Sequence, residues 1–107
     1  MNMGLTRVEI GISNPAGPDG ERRVEVLVDT GATLSVIPRG LLEALGVTSI
    51  GRNRFRGFGG VVSRDVGGVL MSYGGSVAGV TVAFGEEGDP AVMGVTAAAG
   101  GRHDRRR

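Results

Sequence analysis

Residues Val26–Pro38 read VLVDTGATLSVIP. Three apolar residues run into Asp29, then Thr30, Gly31 and Ala32 follow, and apolar character resumes through Val36 and Ile37 to Pro38. Just upstream, Val24, Val26 and Val28 alternate with Glu25, Leu27 and Asp29, the two-residue period of a strand. The segment therefore predicts a strand that ends on a carboxylate, a break over Thr30–Ala32, and a second short extended piece. Such a carboxylate has an ordinary structural explanation. Asp before Thr-Gly can bond its own backbone as an Asx turn, with Gly31 tolerating a positive φ. The tripeptide alone decides nothing, because short motifs recur by chance.

The flanks extend the β pattern. LTRVEIGIS (5–13) sets Leu5, Arg7 and Glu9 against Thr6, Val8, Ile10 and Ile12, a first strand. NPAGPDG (14–20) holds two Pro and two Gly and predicts a turn or short loop closing a hairpin. PRGLLEALG (38–46) predicts a short helix, with Pro38 in its first turn, Leu41, Leu42 and Leu45 on one face, and Gly46 closing it; Gly40 weakens it. From Ser49 to Phe84 the pattern is β again. Gly57, Gly59 and Gly60 separate two extended pieces, a hairpin with a mobile tip, and Gly74-Gly75 mark a second hairpin. GEEGDP is a loop, AVMG a short strand ending at Gly94, and VTAAAGG the possible start of a helix with little to bury. About seven short strands with regular glycines predict an all-β barrel or sandwich. No repeat or linker divides the chain, so one domain over residues 1–100 and an Arg-rich, disordered tail at 101–107 are expected.

Composition sets further bounds. The chain has 107 residues, enough for one modest core. Aromatic residues make up 4%, so that core must be built from Val, Leu, Ile, Ala and Met, with Met71 and Met93 as fillers. Glycine contributes 21 residues, about three times its usual share, without the period of collagen. With no cysteine, disulfides and thiolate metal sites are excluded. His103 is the single histidine, which argues against a metal role. The net charge of +1 is uneven: the four Arg of GRHDRRR make the tail basic while the body is slightly acidic. No aromatic interleaves those arginines, so they read as a solvated tail rather than a nucleic-acid contact. No signal-like N-terminus or apolar run of about 18 residues occurs, so a cytoplasmic protein with no membrane association is expected.

With its flanks, the motif becomes specific. Three apolar residues, Asp-Thr-Gly-Ala, two variable residues, Ser, an apolar residue and Ile-Pro resemble the active-site segment of the retropepsin-like (retroviral-type) aspartic proteases. GFGG (57–60) falls at the position of the family's flap, and AVMGV resembles the apolar-apolar-Gly signature near the end of its domain. By order of elements the resemblance spans roughly residues 5–97. It implies an all-β fold: a small closed, Greek-key-like acid protease barrel with one short helix, forming half of a two-fold symmetric protease. It implies catalysis by Asp29, an active-site loop of Thr30, Gly31 and Ala32, a substrate-covering flap of Gly57, Phe58, Gly59 and Gly60, and a structural Gly94. No cofactor or metal is implied, and the partners are a peptide or protein substrate and a second copy of the chain. In the family, the Thr30 hydroxyl bonds across to the partner loop. Phe55 and Val61 are expected to serve packing, Ser35 to bond backbone near the site, and Thr33 to face solvent.

The residue types suit the chemistry. Hydrolysing a peptide without a metal or nucleophilic side chain takes a base to activate water and an acid to polarise the carbonyl. Two carboxylates sharing one proton supply both, because like charges held close cannot both ionise easily. Gly31 lets backbone approach and donate to the carboxylate, and Ala32 is small where the chain packs beneath it. Yet the motif occurs once: Asp19, Asp65 and Asp89 lack its apolar context. An isologous dimer would bring two copies of Asp29 to one axis. Similar domains continue with a Leu-bearing helix and an apolar strand, whereas here no Leu, Ile or Val follows Val95. The alternative expectation is therefore a catalytically silent peptide-binding or dimerisation module, truncated at its C-terminus.

Overall fold

Apolar alternation builds the first hairpin. Strand β1 (Thr6–Asn14) pairs antiparallel with β2 (Gly17–Asp29), setting Val8 opposite Val26 and Ile10 opposite Val24. A computed structural model describes residues 6–94 of the chain. The loop expected over 14–20 is shorter than its composition suggests. The turn itself is Pro15-Ala16, closed by the Ala16 N–H donating to Asn14 Oδ1 at 2.9 Å. The backbone of Pro18–Gly20 belongs to β2, whose register against β1 slips between Ile12 and Asn14. A bulge there absorbs a proline that has no N–H for the ladder.

After β2 come β3 (Ser35–Pro38), helix α1 (Arg39–Ala44), β4 (Gly51–Gly57), β5 (Gly60–Tyr73), β6 (Ser76–Gly85) and β7 (Val92–Gly94). The sheet runs β1-β2-β7-β3-β6-β5, and β5 returns to β1 through Gly11↔Ser72, Ile12↔Met71 and Ser13↔Leu70. Six strands thus close a barrel. Among the described residues, strand β4 pairs with β5 alone and extends the sheet as a hairpin. The fourteen residues of β5 serve both parts: Gly60–Val66 pair with β4, and Val66–Tyr73 with β6. Gly74 and Gly75, at φ 60° and 86°, make the β5–β6 turn, as their sequence predicts.

The helix forms where expected, but Pro38 precedes it as the last residue of β3 rather than opening its first turn. It ends in a Schellman motif. Gly46, at φ 79°, donates to Glu43 O, and Val47 donates to Leu42 O at 2.9 Å. Leu42 is fully buried, and Leu41 and Leu45 pack against the same core.

That core fills the barrel with Ile10, Ile12, Ile37, Leu42, Phe84 and Met93, all essentially inaccessible. Each such side chain contributes about 1.5–3 kcal/mol of burial. A second, smaller cluster joins Ala32 and Val36 to Phe55, Ala83 and Val92, with Leu34 and Val62 against it. It seats the root of the β4–β5 hairpin on the segment following Asp29. Phe55 packs as expected, but Val61 does not: it is 58% exposed. Val61 pairs with Arg56, so it shares the opposite face from Phe55 and Val62. No helix among the described residues is long and apolar enough to cross a membrane. The expected helix start after Gly94 and the Arg-rich tail lie outside the described residues.

Candidate active site

Asp29 is the last residue of β2 and pairs in parallel register with Gly94 of β7. The chain turns at once: the Ala32 N–H donates to Asp29 O at 3.2 Å, and the Gly31 N–H donates to Asp29 Oδ1 at 2.8 Å. The Asx turn read from the sequence is therefore present, and it orients one carboxylate oxygen. Gly31 does not use a positive φ. A Cβ there would lie 3.4 Å from Asp29 Oδ1, an ordinary van der Waals contact. Ala32 is buried beneath the loop, while Thr30 and Gly31 are exposed.

Two residues weld this loop to β7. Buried Ser35 accepts a hydrogen bond from the Gly94 N–H at 3.0 Å. A Cβ on Gly94 would stand 3.0 Å from Ala32 O and from the Leu34 backbone. Contacts that close to backbone leave space only for glycine.

The β4–β5 hairpin arches towards the loop. Its tip is a two-residue turn, Phe58-Gly59, between the paired Gly57 and Gly60. Phe58 takes φ 57° and Gly59 φ 82°. The left-handed region costs an aromatic residue about 1–2 kcal/mol. The β5–β6 hairpin makes a positive-φ turn from two glycines, so an aromatic side chain at this tip is kept against local preference. Its ring lies 5.9 Å from the Arg64 guanidinium.

Asp29, Gly31, Arg56, Phe58, Gly59 and Gly60 line a cleft of about 380 Å³. The structure thus brings together Asp29, Gly31 and three of the four expected flap residues. Gly57 is buried against the Phe55 ring, Ala32 lies below the cleft, Gly94 stands behind the loop, and Thr30 is not part of the lining. Thr33 is solvent-exposed as expected, yet it also bonds Arg56 of β4. Neither Thr33 nor Arg56 stands out in the sequence as a partner of the other. They are 23 residues apart, and no periodicity links a loop to a strand edge. A larger depression of about 490 Å³ lies around Ser13, Glu21 and Ser72, where Glu21 is already engaged by Ser72 and Arg23.

Asp65 and Asp89 are committed outside the cleft lining. Asp65 on β5 receives Arg39 at 2.6 Å and Arg52 at 3.2 Å, and the Arg39 hydrogen bond holds its carboxyl below the usual range. Asp89, in the β6–β7 loop, takes a two-pronged contact from Arg64 at 2.8 and 3.1 Å, which likewise keeps it ionised to lower pH. Asp29 is the one carboxylate among the residues lining the cleft.

A family model described as aspartyl protease matches residues 15–97, most of the chain and all of this site. The chain belongs to the aspartyl protease family. No match was found among curated proteins or among solved structures. For an aspartyl protease, the chemistry centres on a carboxylate able to exchange protons with water and a peptide carbonyl. In this aspartyl protease domain, Asp29 is the carboxylate that borders the cleft.

Proposed function

We propose that this domain is a retropepsin-like aspartic endopeptidase that works as a homodimer, with one Asp29 from each protomer. The observation that carries the reading is a cleft with one carboxylate, at the end of an apolar strand in an Asp-Thr-Gly-Ala loop, beneath a Gly-rich hairpin. Half the acid–base pair is supplied per chain, and a two-fold axis supplies the other half. In the dimer the two carboxyls share one proton, because close like charges resist double ionisation. The ionised carboxylate takes a proton from water as the water oxygen attacks the peptide carbon. The protonated partner donates to the carbonyl oxygen. Collapse of the tetrahedral diol then breaks the C–N bond as the leaving nitrogen is protonated. Exposed Thr30 is available to bond across the axis, and Phe58 with Gly57, Gly59 and Gly60 would cover the bound peptide.

Asp29→Asn tests the mechanism. The substitution keeps size and shape but cannot serve as the base. Peptide cleavage is expected to fall to background while the circular dichroism spectrum stays that of the parent. Undiminished turnover in Asp29→Asn would rule the mechanism out. Peptide binding by the parent chain without any cleavage would favour a silent peptide-binding module instead.

A further inference from the structure

We propose that Arg56 is a specificity-determining residue whose guanidinium, in the lining of the Asp29 cleft, selects peptides that carry an aspartate or glutamate close to the scissile bond. The proposal rests on the protease reading of the cleft and names the class of peptide it takes. Arg52, Arg54 and Arg56 alternate along β4, so their side chains share one exposed face of the hairpin. Opposite them on β5 are Asp65, Ser63 and Val61. Arg52 meets Asp65 at 3.2 Å and also bonds Ser63 O. Arg39 and Arg64 are paired as well, to Asp65, Glu86 and Asp89. Among the described residues, Arg54 and Arg56 enter no ion pair. A cation on an edge strand has an ordinary use, since it discourages pairing with other chains. That suffices for Arg54. Arg56 differs, because it lines the cleft with Asp29 and Phe58, and the residue opposite it is apolar Val61.

The place of Arg56 on its strand brings it to the peptide. Its backbone groups on the side away from β5 are bonded to Thr33, whose N–H donates to Arg56 O at 3.0 Å and whose Oγ1 accepts from the Arg56 N–H at 3.2 Å. An extended peptide entering along this edge takes those groups for its own ladder, and Thr33 releases them. Side chains of the peptide then stand beside the Arg56 side chain as cross-strand neighbours, an arrangement that favours opposite charges and penalises like ones. The balance of charge points the same way. In the dimer, two aspartates sharing one proton hold a single negative charge, while two copies of Arg56 hold two positive ones, so the lining is positive overall. The two-fold axis sets one Arg56 on each side of the scissile bond. An acidic side chain on either side can therefore accept charge-assisted hydrogen bonds from a guanidinium, and a lysine or arginine there is repelled.

A synthetic peptide library with every residue type equally represented at each position tests this on the full chain, with new termini identified by mass spectrometry. The parent should favour Asp and Glu over Asn and Gln about fivefold at a fixed position on each side of the cut. Each enzyme is compared with itself, so a general loss of rate does not enter. Arg56→Gln should bring that ratio to about one, Arg56→Lys should keep part of it, and Arg56→Glu should favour Lys and Arg instead. Arg54→Gln should keep the parental ratio, and added salt should shrink it in the parent. No acidic preference in the parent, or the parental ratio in Arg56→Gln, overturns the proposal. So does an equal loss in Arg54→Gln, which would assign the preference to the field of the whole strand. Retention of the same library by immobilised Asp29→Asn, with and without Arg56→Gln, gives the ratio without any cleavage. If the parent is inert yet acidic peptides are retained through Arg56, the protease reading alone fails; retention without acidic preference overturns the role of Arg56.

Discussion

The contact between Ser35 and Gly94 shows how tightly the loop bearing Asp29 is held from behind. Ser35 is 1% exposed and its hydroxyl receives the Gly94 N–H. Removing the hydroxyl leaves a buried donor without a partner, which costs about 1–3 kcal/mol. Ser35→Ala is therefore expected to lower the urea midpoint without changing the slope of the transition. Gly94→Ala should cost a similar amount, about 1–3 kcal/mol, because the new methyl meets backbone that cannot swing aside. The double variant should cost less than the sum, since both changes disturb one contact. An unchanged midpoint in Ser35→Ala would mean that the hydroxyl bond contributes nothing to holding the loop.

At the scale of elements, ion pairs bind the hairpin and the β6–β7 loop to the barrel. Arg39, at the start of α1, reaches Asp65 of β5 and Glu86 beyond β6, and Arg64 of β5 reaches Asp89. Hydrogen bonds from Arg39 and Arg64 keep Asp65 and Asp89 below the ordinary carboxylate range in the folded chain. A carboxyl depressed by folding stabilises the fold above its unfolded value, about 3.9. That contribution is lost as pH falls through the lower folded values. Urea midpoints should thus hold from neutral pH to about pH 4.5 and decline below about pH 4. In Asp65→Asn with Asp89→Asn the acid decline should flatten, at lower stability near neutral pH. A parental acid limb in that double variant would remove these pairs from the account. Little of this network was legible in the sequence, where Asp65 and Asp89 read simply as carboxylates lacking the apolar context of Asp29. The elements were more legible: valine alternation marked β1 and β2, Gly74-Gly75 and the Gly57–Gly60 cluster marked two hairpins, and three leucines marked α1. Those are local signals, carried by period and turn chemistry. The Thr33–Arg56 contact, the bulge in β2 and the exposure of Val61 depend on which strands meet and in what register, and a single chain read in order does not contain that.

For the whole molecule, the decisive quantity is the number of carboxylates per cleft. One chain contributes Asp29, and Asp65 and Asp89 are held by arginines elsewhere. If two copies of Asp29 form the working pair, activity must depend on both protomers of a dimer at once. Mixing the parent with Asp29→Asn at fixed total concentration, after denaturation and joint refolding, separates the alternatives. Random pairing in an equal mixture leaves about one quarter of the dimers with two intact aspartates. Cleavage should then follow the square of the parental fraction and fall to about one quarter at equal mixing. A linear decline to about one half would show that each chain acts alone. Sedimentation on the same samples fixes the mass of the active species, and cleavage by a strict monomer would contradict the shared site. The square law also resists a common artefact. Asp29→Asn dimers that merely bind peptide would deplete substrate in proportion to their own amount, and raising the peptide concentration would remove that effect while leaving the quadratic dependence in place.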